Sequence, residues 1–302
     1  MKSDYKIAVL GGDLRQYYAA SALCDHGWHI GLWGLECSNG RDIRLEFSES
    51  FEKATESAGV WLLPLPSAVS GGLLNCPLYP QGSRVKLSDI LQRATEKTLI
   101  VGGRIPEAQV ELLSERGIRS FDYFKSERFQ IKNAYTTAEA ALSIAMNSLD
   151  KEIKDSKIAI TGYGRIAKQL CSLLKALGAS VTVAARKDAD LAWAETVGAK
   201  VMPIGSEKEC YITLKNFENG YDIIYNTVPS LLFDRAFLEN VSKKTLIIEL
   251  ASAPGGIDVC ASKELSSNVL WAASLPGKYA PESAGKLIAD CVDRLLEEEI
   301  LS

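Results

Sequence analysis

Short apolar runs alternate along the chain with longer stretches whose apolar residues recur at helical spacing. This alternation predicts strands separated by helices, the pattern of an α/β protein with parallel sheets. The runs that predict strands lie near 5–10, 28–33, 58–63, 97–101, 118–122, 156–161, 180–185, 200–203, 221–226, 244–250 and 268–272. The stretches that predict helices in the first half lie at 14–25, 86–94 and 106–116.

Two of the apolar runs resemble each other and end in glycines. Residues 6–12 read KIAVLGG and residues 157–164 read KIAITGYG, and a helix-like pattern follows each of them. A strand that ends in a glycine turn and leads into a helix opens a βαβ unit. The sequence therefore predicts an α/β fold of two Rossmann-like, doubly wound parallel-sheet domains with an inter-domain cleft.

Two further amphipathic stretches predict helices that connect the domains. Apolar residues recur at helical spacing over 137–149, and again after Pro281, which suits a helix start. The first helix would lead into the second domain, and the last would return to pack on the first. We expect an N-terminal substrate or catalytic domain of residues 1–136 plus 281–302, and a nucleotide-binding domain of residues 137–280.

The second glycine turn has the spacing of a dinucleotide site. Gly162 would make the tight turn, Gly164 would let the backbone approach a pyrophosphate, and Ala167 would let helix and strand pack closely. The N-terminus of the following helix supplies free N–H groups and a positive dipole end for the anion. A glycine turn in another α/β fold is the alternative, but the flanking strands and helix favour nucleotide binding.

The end of the next strand indicates which nucleotide binds. NAD-binding domains usually place Asp or Glu there to bond the ribose hydroxyls. This chain has Ala185, Arg186 and Lys187 instead, with no acid before Asp188. Since Arg can bind a 2′-phosphate through two hydrogen bonds, the sequence favours NADP as the cofactor, although Arg186 and Lys187 could also be a solvated helix start.

Two later strand ends, NTVP at 226–229 and ELAS at 249–252, are expected at the same edge of the sheet, where ligands of such folds bind. Either could also be an ordinary strand-ending turn. The predicted cofactor-binding residues are Gly162, Tyr163, Gly164, Arg165, Ile166, Ala185, Arg186, Lys187, Thr227, Val228, Pro229, Leu250 and Ala251.

The first glycine turn is a poor nucleotide site, because Asp13 stands where a pyrophosphate would lie. Asp13 is expected instead to cap the next helix. The neighbouring Arg15 and Gln16 could present a cation and an amide to an anionic substrate, and Arg104 follows a similar glycine pair. Each of these residues is more often part of a turn or cap than a ligand.

Two further segments could bind an acidic small molecule. Thr136 and Thr137 are expected at a helix N-terminus, where hydroxyl and N–H groups can hold a carboxylate. Lys278 is expected in a Pro- and Gly-containing loop at 274–285, after the last strand. It could orient a substrate carboxylate or stabilise developing charge, or it could be an exposed loop lysine.

Composition and charge exclude several classes of function. The chain has 302 residues and a net charge of −4, which offers no general means of binding nucleic acid. No apolar run approaches a membrane span, and the run after Asp4 is too short for a signal peptide, so we expect a cytoplasmic protein. The only histidines are His26 and His29.

The cysteines show no CxxC pair or other pairing pattern. They are Cys24, Cys37, Cys76, Cys171, Cys210, Cys260 and Cys291. Seven scattered cysteines indicate reduced thiols rather than a disulfide framework or a metal site.

Several motifs together resemble the dipicolinate synthase A-subunit family of spore-forming bacteria, in family order over nearly the whole length. They are GGDLRQ at 11–16, TAEAAL at 137–142, GYGRIAKQL at 162–170, AAR at 184–186, NTVPS at 226–230, ELASAPGGID at 249–258 and LPGKYAPESAG at 275–285. The departures are mild: Tyr163 replaces a more usual Leu, and Glu282-Ser283 replaces Lys or Val followed by Thr. Neither removes a motif glycine or a charged residue.

The resemblance implies an NADP-linked dehydrogenase that forms pyridine-2,6-dicarboxylate from a dihydro- or hydroxy-tetrahydropyridine dicarboxylate. It also implies a flavoprotein-like partner, the B-subunit of dipicolinate synthase, and expression in the mother cell during sporulation; we further expect a homo-oligomer. A small dicarboxylate substrate suits Arg15, Arg104, Lys278 and the Thr136–Thr137 pair, and Glu139 is a candidate proton acceptor or a plain surface acid.

Two alternatives stay open at this point. One is an NADP-dependent dehydrogenase of another small acid, such as a 2-hydroxy acid; this is disfavoured because the chain has no His after His29. The other is a non-catalytic NADP-binding subunit that supports its partner.

Overall fold

The chain forms two compact units, Met1–Asn133 with Gly277–Ser302, and Ala134–Pro276. The structure, a computed structural model, describes residues 2–36, 42–79, 84–205, 217 and 220–300. The second unit is one continuous segment, whereas the first is completed by the last part of the chain.

A parallel sheet of six strands forms the centre of the first unit. The strands of this unit are β1 (Lys6–Leu10), β2 (His29–Trp33), β3 (Glu46–Phe47), β4 (Ala58–Leu62), β5 (Ala68–Val69), β6 (Leu73–Leu74), β7 (Leu99–Gly102) and β8 (Ser120–Asp122). The sheet order is β3-β2-β1-β4-β7-β8, with all pairs parallel, and β5 and β6 form a separate antiparallel hairpin. The order runs outward in both directions from β1 and β4, which is the doubly wound arrangement.

Both faces of this sheet are apolar. In β1, Ile7 and Val9 pack into one buried cluster and Ala8 and Leu10 into another, because successive side chains of a strand point to opposite faces. The helices before the domain boundary are α1 (Leu14–Asp25), α2 (Phe51–Thr55), α3 (Leu87–Leu91) and α4 (Glu107–Glu115).

The helix α5 (Glu127–Ser148) begins ten residues before the predicted start at 137. Between residues 127 and 135 only Phe129 and Ala134 are buried, so the apolar stripe is too sparse there to indicate a helix. The prediction that Thr136 and Thr137 lie at a helix N-terminus is therefore wrong. Both lie inside the helix, where their backbone N–H groups belong to the helical hydrogen-bond pattern.

The second unit repeats the plan of the first. Its strands are β9 (Lys157–Thr161), β10 (Ser180–Ala185), β11 (Lys200–Pro203), β12 (Ile223–Asn226), β13 (Leu246–Glu249) and β14 (Val269–Trp271). They form a parallel sheet in the order β11-β10-β9-β12-β13-β14. Its helices are α6 (Arg165–Ala176), α7 (Asp188–Thr196), α8 (Arg235–Asn240), α9 (Val259–Glu264) and α10 (Leu275–Tyr279), of which α10 crosses the boundary. Two doubly wound parallel sheets confirm the predicted fold class.

The last helix, α11 (Pro281–Ile300), begins at Pro281 as predicted and packs on α1 of the first unit. The close approach occurs at Gly285, where a Cβ would lie 2.9 Å from the backbone nitrogen of Ala19. Lys278 was predicted to lie in a loop, and this prediction is wrong, because Lys278 lies in the short helix α10 that precedes α11. Pro276 is the second residue of α10, in a first turn whose N–H groups have no helical partner.

No helix in the described part of the chain is long and apolar enough to cross a membrane. Five cysteines are free thiols, and they are Cys24, Cys76, Cys171, Cys260 and Cys291. Cys37 and Cys210 lie outside the described residues.

Candidate functional site

The turn between β9 and α6 has an open surface at its second glycine. Gly162 adopts a φ of +80°, and a Cβ there would lie 2.8 Å from Thr227 Oγ1, so only glycine fits without strain. At Gly164, which begins α6 without a side-chain cap, a Cβ would meet nothing within 4 Å. Ala167 is fully buried against the sheet. The uncapped helix N-terminus beside open space fits an anionic group such as a pyrophosphate.

A cavity of about 590 Å³ adjoins this turn, a size that is usual for a small-molecule site. Seven of the predicted cofactor-binding residues line it, and they are Gly162, Tyr163, Ala185, Arg186, Lys187, Val228 and Pro229. The other six predicted residues are not on its wall, and they are Gly164, Arg165, Ile166, Thr227, Leu250 and Ala251.

Six further residues line the same cavity and were not predicted from the sequence, and they are Asp190, Ile204, Gly205, Ser230, Leu231 and Leu232. Asp190 lies in the first turn of α7, so its place on the cavity wall depends on how that helix folds back after the strand end. Leu231 is 63% exposed and forms part of the cavity wall. Asp190 lowers the net positive charge of the wall that carries Arg186 and Lys187.

The side chain of Tyr163 is a neutral, buried part of the turn. Burial raises the pKa of its hydroxyl to about 12. The ammonium of Lys168 lies 5.7 Å from the centre of its ring. Tyr163 therefore contributes an apolar surface and a protonated hydroxyl to the cavity.

A buried hydrogen-bond network joins the carboxyl ends of three neighbouring strands. The Thr161 hydroxyl donates to Asn226 Oδ1 at 2.6 Å, and Asn226 Nδ2 donates to both carboxylate oxygens of Glu249 at 2.9 Å. Asn226 Oδ1 also accepts from the backbone N–H of Val228 at 3.1 Å. Since Val228 lines the cavity, the network fixes part of the cavity wall.

Glu249 is the least expected member of this network. It is 2% exposed and accepts hydrogen bonds from the backbone N–H groups of Ala251 and Gly256, each at 2.8 Å. Burial raises the pKa of its carboxyl group, and the hydrogen bonds from Gly256, Asn226 and Ala251 oppose that rise. No sequence pattern distinguishes a buried strand-end acid of this kind from one that faces solvent.

In the first unit, the corresponding turn holds an ion pair. Asp13 caps α1 as predicted, because its carboxylate accepts from the Arg15 backbone N–H at 2.9 Å. The Arg15 guanidinium donates to Asp13 at 2.9 Å through Nε and at 2.7 Å through Nη2. Nη2 also donates to the Leu65 carbonyl at 2.6 Å. The predicted substrate cation is therefore 8% exposed and already balanced by one carboxylate.

Arg104 lies at the end of β7 in a left-handed conformation, with a φ of +51°. Asp122 holds this backbone by accepting from the Arg104 N–H at 3.0 Å, and the guanidinium lies 4.4 Å from the ring centre of Phe124. A non-glycine residue in this region costs free energy, and such strain is commonest at functional sites. The Arg104 side chain is exposed and faces no carboxylate among the described ion pairs.

The two motifs GGDLRQ and LPGKYAPESAG meet in the first unit, although they lie at opposite ends of the chain. A Cβ on Gly277 would be 2.8 Å from Arg15 Nε and 3.2 Å from Asp13 Oδ2. Lys278 follows directly, is exposed, and has no ion pair with the described residues. The structure thus brings the backbone segment that carries Lys278 beside Arg15.

The remaining predicted residues lie on α5. Thr136 and Thr137 are each 8% exposed, whereas Glu139 is exposed on the helix surface. Solvent therefore reaches the Glu139 carboxylate but hardly reaches the two threonine side chains.

Both histidines lie near the amino end of β2, away from the carboxyl ends of the strands. His29 begins β2 and its Nε2 lies 3.0 Å from Glu46, and His26 lies 3.2 Å from Asp293. Neither imidazole is at a strand carboxyl end, where ligands of these folds bind.

Comparisons with known proteins agree with the resemblance noted from the motifs. A model of the N-terminal domain of the dipicolinate synthase A-subunit matches residues 6–124. The dipicolinate synthase A-subunit of Bacillus subtilis is 30% identical over 302 residues, which cover 99% of this chain and 98% of the relative.

Solved structures show the same fold. The crystal structure of the dipicolinate synthase A chain from Bacillus subtilis has a TM-score of 0.83 and 27% identity over 99% of this chain and 97% of that one. D-lactate dehydrogenase from Escherichia coli shares the fold at 13% identity, with a TM-score of 0.64 over 97% of this chain and 96% of that one. The chain belongs to the dipicolinate synthase A-subunit family.

Proposed function

We propose that the chain is an NADP-dependent dehydrogenase that oxidises a dihydro- or hydroxy-tetrahydropyridine dicarboxylate to pyridine-2,6-dicarboxylate. The observation that supports this most is the open Gly162–Gly164 turn beside a cavity lined by Arg186 and Lys187, in a chain of this family. NADP, when bound there, accepts a hydride from the substrate.

The choice of NADP rests on charge. Two exposed cations, Arg186 and Lys187, line the cavity directly after β10, where an NAD site usually has an acid. Asp190 offsets one of these charges, so the wall keeps a net positive charge of one. A 2′-phosphate is favoured by that balance, and the Arg186 guanidinium can bind it through two hydrogen bonds.

In this proposal the substrate carboxylates are bound by Arg15, Arg104 and Lys278. Thr136 and Thr137 would contribute only their hydroxyl groups, because both residues lie inside α5 and not at a helix start. Glu139 is the proposed proton acceptor. Formation of the aromatic ring supplies driving force for hydride loss, so a strong histidine base is not needed, which agrees with the placement of His26 and His29.

The proposal includes the flavoprotein-like B-subunit as a partner, a homo-oligomeric state, and the mother-cell cytoplasm as the location. The name of the family itself supports a partner subunit. The second candidate is a non-catalytic NADP-binding subunit, which the nucleotide cavity supports equally well. Turnover by the purified chain without a partner distinguishes the two.

Fluorescence titration with NADP and with NAD tests the nucleotide assignment. We expect NADP to bind more tightly, and Arg186→Ala to weaken NADP about tenfold to a hundredfold while NAD changes little, because a hydrogen bond to a charged group contributes about 1.5–3 kcal/mol. Arg235→Ala is the matched control, since Arg235 is exposed on α8 and does not line the cavity. Equal affinity for both nucleotides in the parent chain would refute the choice of NADP.

A further inference from the structure

The side chain of Gln16 is buried without any hydrogen-bond partner. It is 1% exposed, and neither Oε1 nor Nε2 has a partner among the described residues. Buried polar atoms in folded proteins are almost always paired, because an unpaired one costs free energy. A buried amide with two unpaired atoms therefore points to a ligand-binding role rather than to packing.

Gln16 occupies the position in the first unit that Ala167 occupies in the second. Gly11 corresponds to Gly162, Asp13 to Gly164, and Gln16 to the small residue Ala167, since β1–α1 and β9–α6 align without a gap. A Cβ on Gly12, the residue that corresponds to Tyr163, would overlap the Gln16 side chain. The amide of Gln16 thus fills the turn of the first unit, where the second unit has only the small side chain of Ala167.

A second unpaired group also lies at the carboxyl end of a strand of the first sheet, directly after β8. Tyr123 is fully buried, and its hydroxyl has no partner among the described residues. Tyr123 and Arg15 both lie close to Leu65. A Cβ on Gly103 would lie 2.8 Å from both the Tyr123 ring and Leu65 Cδ1, and the Leu65 carbonyl accepts a hydrogen bond from Arg15. Burial raises the pKa of Tyr123, so its hydroxyl remains a donor.

Arg15 has one donor group left. Asp13 and the Leu65 carbonyl engage Nε and Nη2, and Nη1 has no hydrogen bond to the residues the structure describes. The Asp13–Arg15 pair has no net charge. A dianionic phosphate would lack charge compensation here, whereas a single carboxylate can be satisfied by neutral donors and one guanidinium edge.

We propose that Arg15, Gln16 and Tyr123 form a binding site for one carboxylate of a small planar dicarboxylic acid, at the turn that corresponds to the proposed pyrophosphate site of the second unit. Arg15 Nη1, Gln16 Nε2 and the Tyr123 hydroxyl donate to the carboxylate. Gln16 Oε1 accepts from a hydroxyl or N–H group of the reduced substrate, a contact that the aromatic product does not make. The identity of the acid rests on the proposed function.

Calorimetric titration of the full chain, saturated with NADP, with pyridine-2,6-dicarboxylate tests the site. Gln16→Met keeps the length of the side chain without its polar atoms, and Tyr123→Phe removes only the hydroxyl. We expect each variant to bind the acid about tenfold more weakly, which corresponds to the loss of one hydrogen bond to a charged group. Affinity for NADP, measured without the acid, stays at the parent value.

Thermal unfolding separates binding from packing, and Tyr225→Phe is the matched control. Tyr225 is also fully buried, but its hydroxyl donates to the Ala141 carbonyl at 3.2 Å. We expect Tyr225→Phe to lower the midpoint of unfolding and to leave affinity for the acid unchanged. Gln16→Met and Tyr123→Phe lose affinity without a lower midpoint, because they remove unpaired polar atoms.

The outcomes separate this inference from the proposed function. Parent-like affinity in Gln16→Met and Tyr123→Phe, with weak binding in Arg15→Lys, would overturn the inference alone. A lower midpoint with unchanged affinity would assign the two side chains to packing and would also overturn it. A parent chain that binds NADP but not the acid would overturn both.

Discussion

At the scale of single residues, Glu249 has the most unusual environment in the second unit. Four hydrogen bonds reach its carboxylate, two from Asn226 and one each from Ala251 and Gly256, but none of these donors is a cation. Desolvation therefore acts on the carboxylate without a compensating charge, and it raises the pKa of the group above the ordinary value of 4.5.

The raised pKa predicts how stability depends on pH. The folded chain keeps the Glu249 proton at a pH where the unfolded chain has lost it, so the stability due to that proton is complete below the ordinary carboxyl range and is lost as pH rises through the folded pKa. Gln has no such proton. We expect the free energy of unfolding of Glu249→Gln, relative to the parent, to rise from about pH 4 to about pH 8, by about 1.4 kcal/mol for each tenfold change in proton affinity.

Urea unfolding of the parent and the variant across this pH range measures the difference. Glu195→Gln is the control, because Glu195 is exposed on α7 and its carboxylate stays in contact with solvent. A relative stability that falls as pH rises would contradict the prediction, since it would mean that the hydrogen bonds outweigh desolvation.

At the scale of elements, the first residue of the turn into α6 needs to be glycine for folding, whereas Gly164 needs to be glycine only for nucleotide binding. Gly164 has an ordinary φ of −77° and open space around its Cβ position, so alanine fits there without strain. We expect Gly164→Ala to unfold at the parent temperature but to bind NADP at least tenfold more weakly, because the added methyl group stands where the backbone meets the pyrophosphate.

Gly162→Ala is the comparison variant. Its positive φ and the 2.8 Å approach to Thr227 Oγ1 make alanine strained at this position, so both the unfolding temperature and NADP binding should fall. Differential scanning fluorimetry and fluorescence titration measure the two properties. Parent-like NADP affinity in Gly164→Ala would show that the nucleotide does not use this turn.

The elements also show what the sequence could predict. Most strands of the two large sheets were predictable because buried parallel strands are continuous apolar runs, as in Ile158–Ile160. The strands β3, β5 and β6 were not predicted, since each has only two residues. The start of α5 was not, because its first turns have few buried residues. Within the cavity, residues close to a strand end, such as Arg186 and Val228, were predictable, whereas Asp190 and Leu231 depend on how the following segment folds back.

At the scale of the whole molecule, the repeated βαβ start was visible in the sequence, but the contact between distant segments was not. Gly277 lies against Arg15 because the chain returns to the first unit after completing the second. No local pattern encodes that return. The apolar face of the last helix indicated only that it packs on something.

The return of the chain predicts that the first unit depends on the C-terminal segment. Its side chains Leu287, Ile288, Val292, Leu295 and Leu296 are all nearly or fully buried in the core of the first unit. Burial of each contributes about 1.5–3 kcal/mol, and their sum is comparable with the ~5–15 kcal/mol stability of a domain. Removal of Gly277–Ser302 should therefore unfold the first unit and leave Ala134–Pro276 folded.

Limited proteolysis of the truncated chain with bound NADP tests this dependence. We expect rapid cleavage before Asn133 and a protected fragment that contains the second unit, with NADP affinity equal to that of the full chain, because the cavity is lined only by residues 162–232. The full chain under the same conditions is the control. Protection of the first unit in the truncated chain would mean that its sheet and α1 are stable without α11, and loss of NADP binding would mean that the second unit needs the first in order to fold.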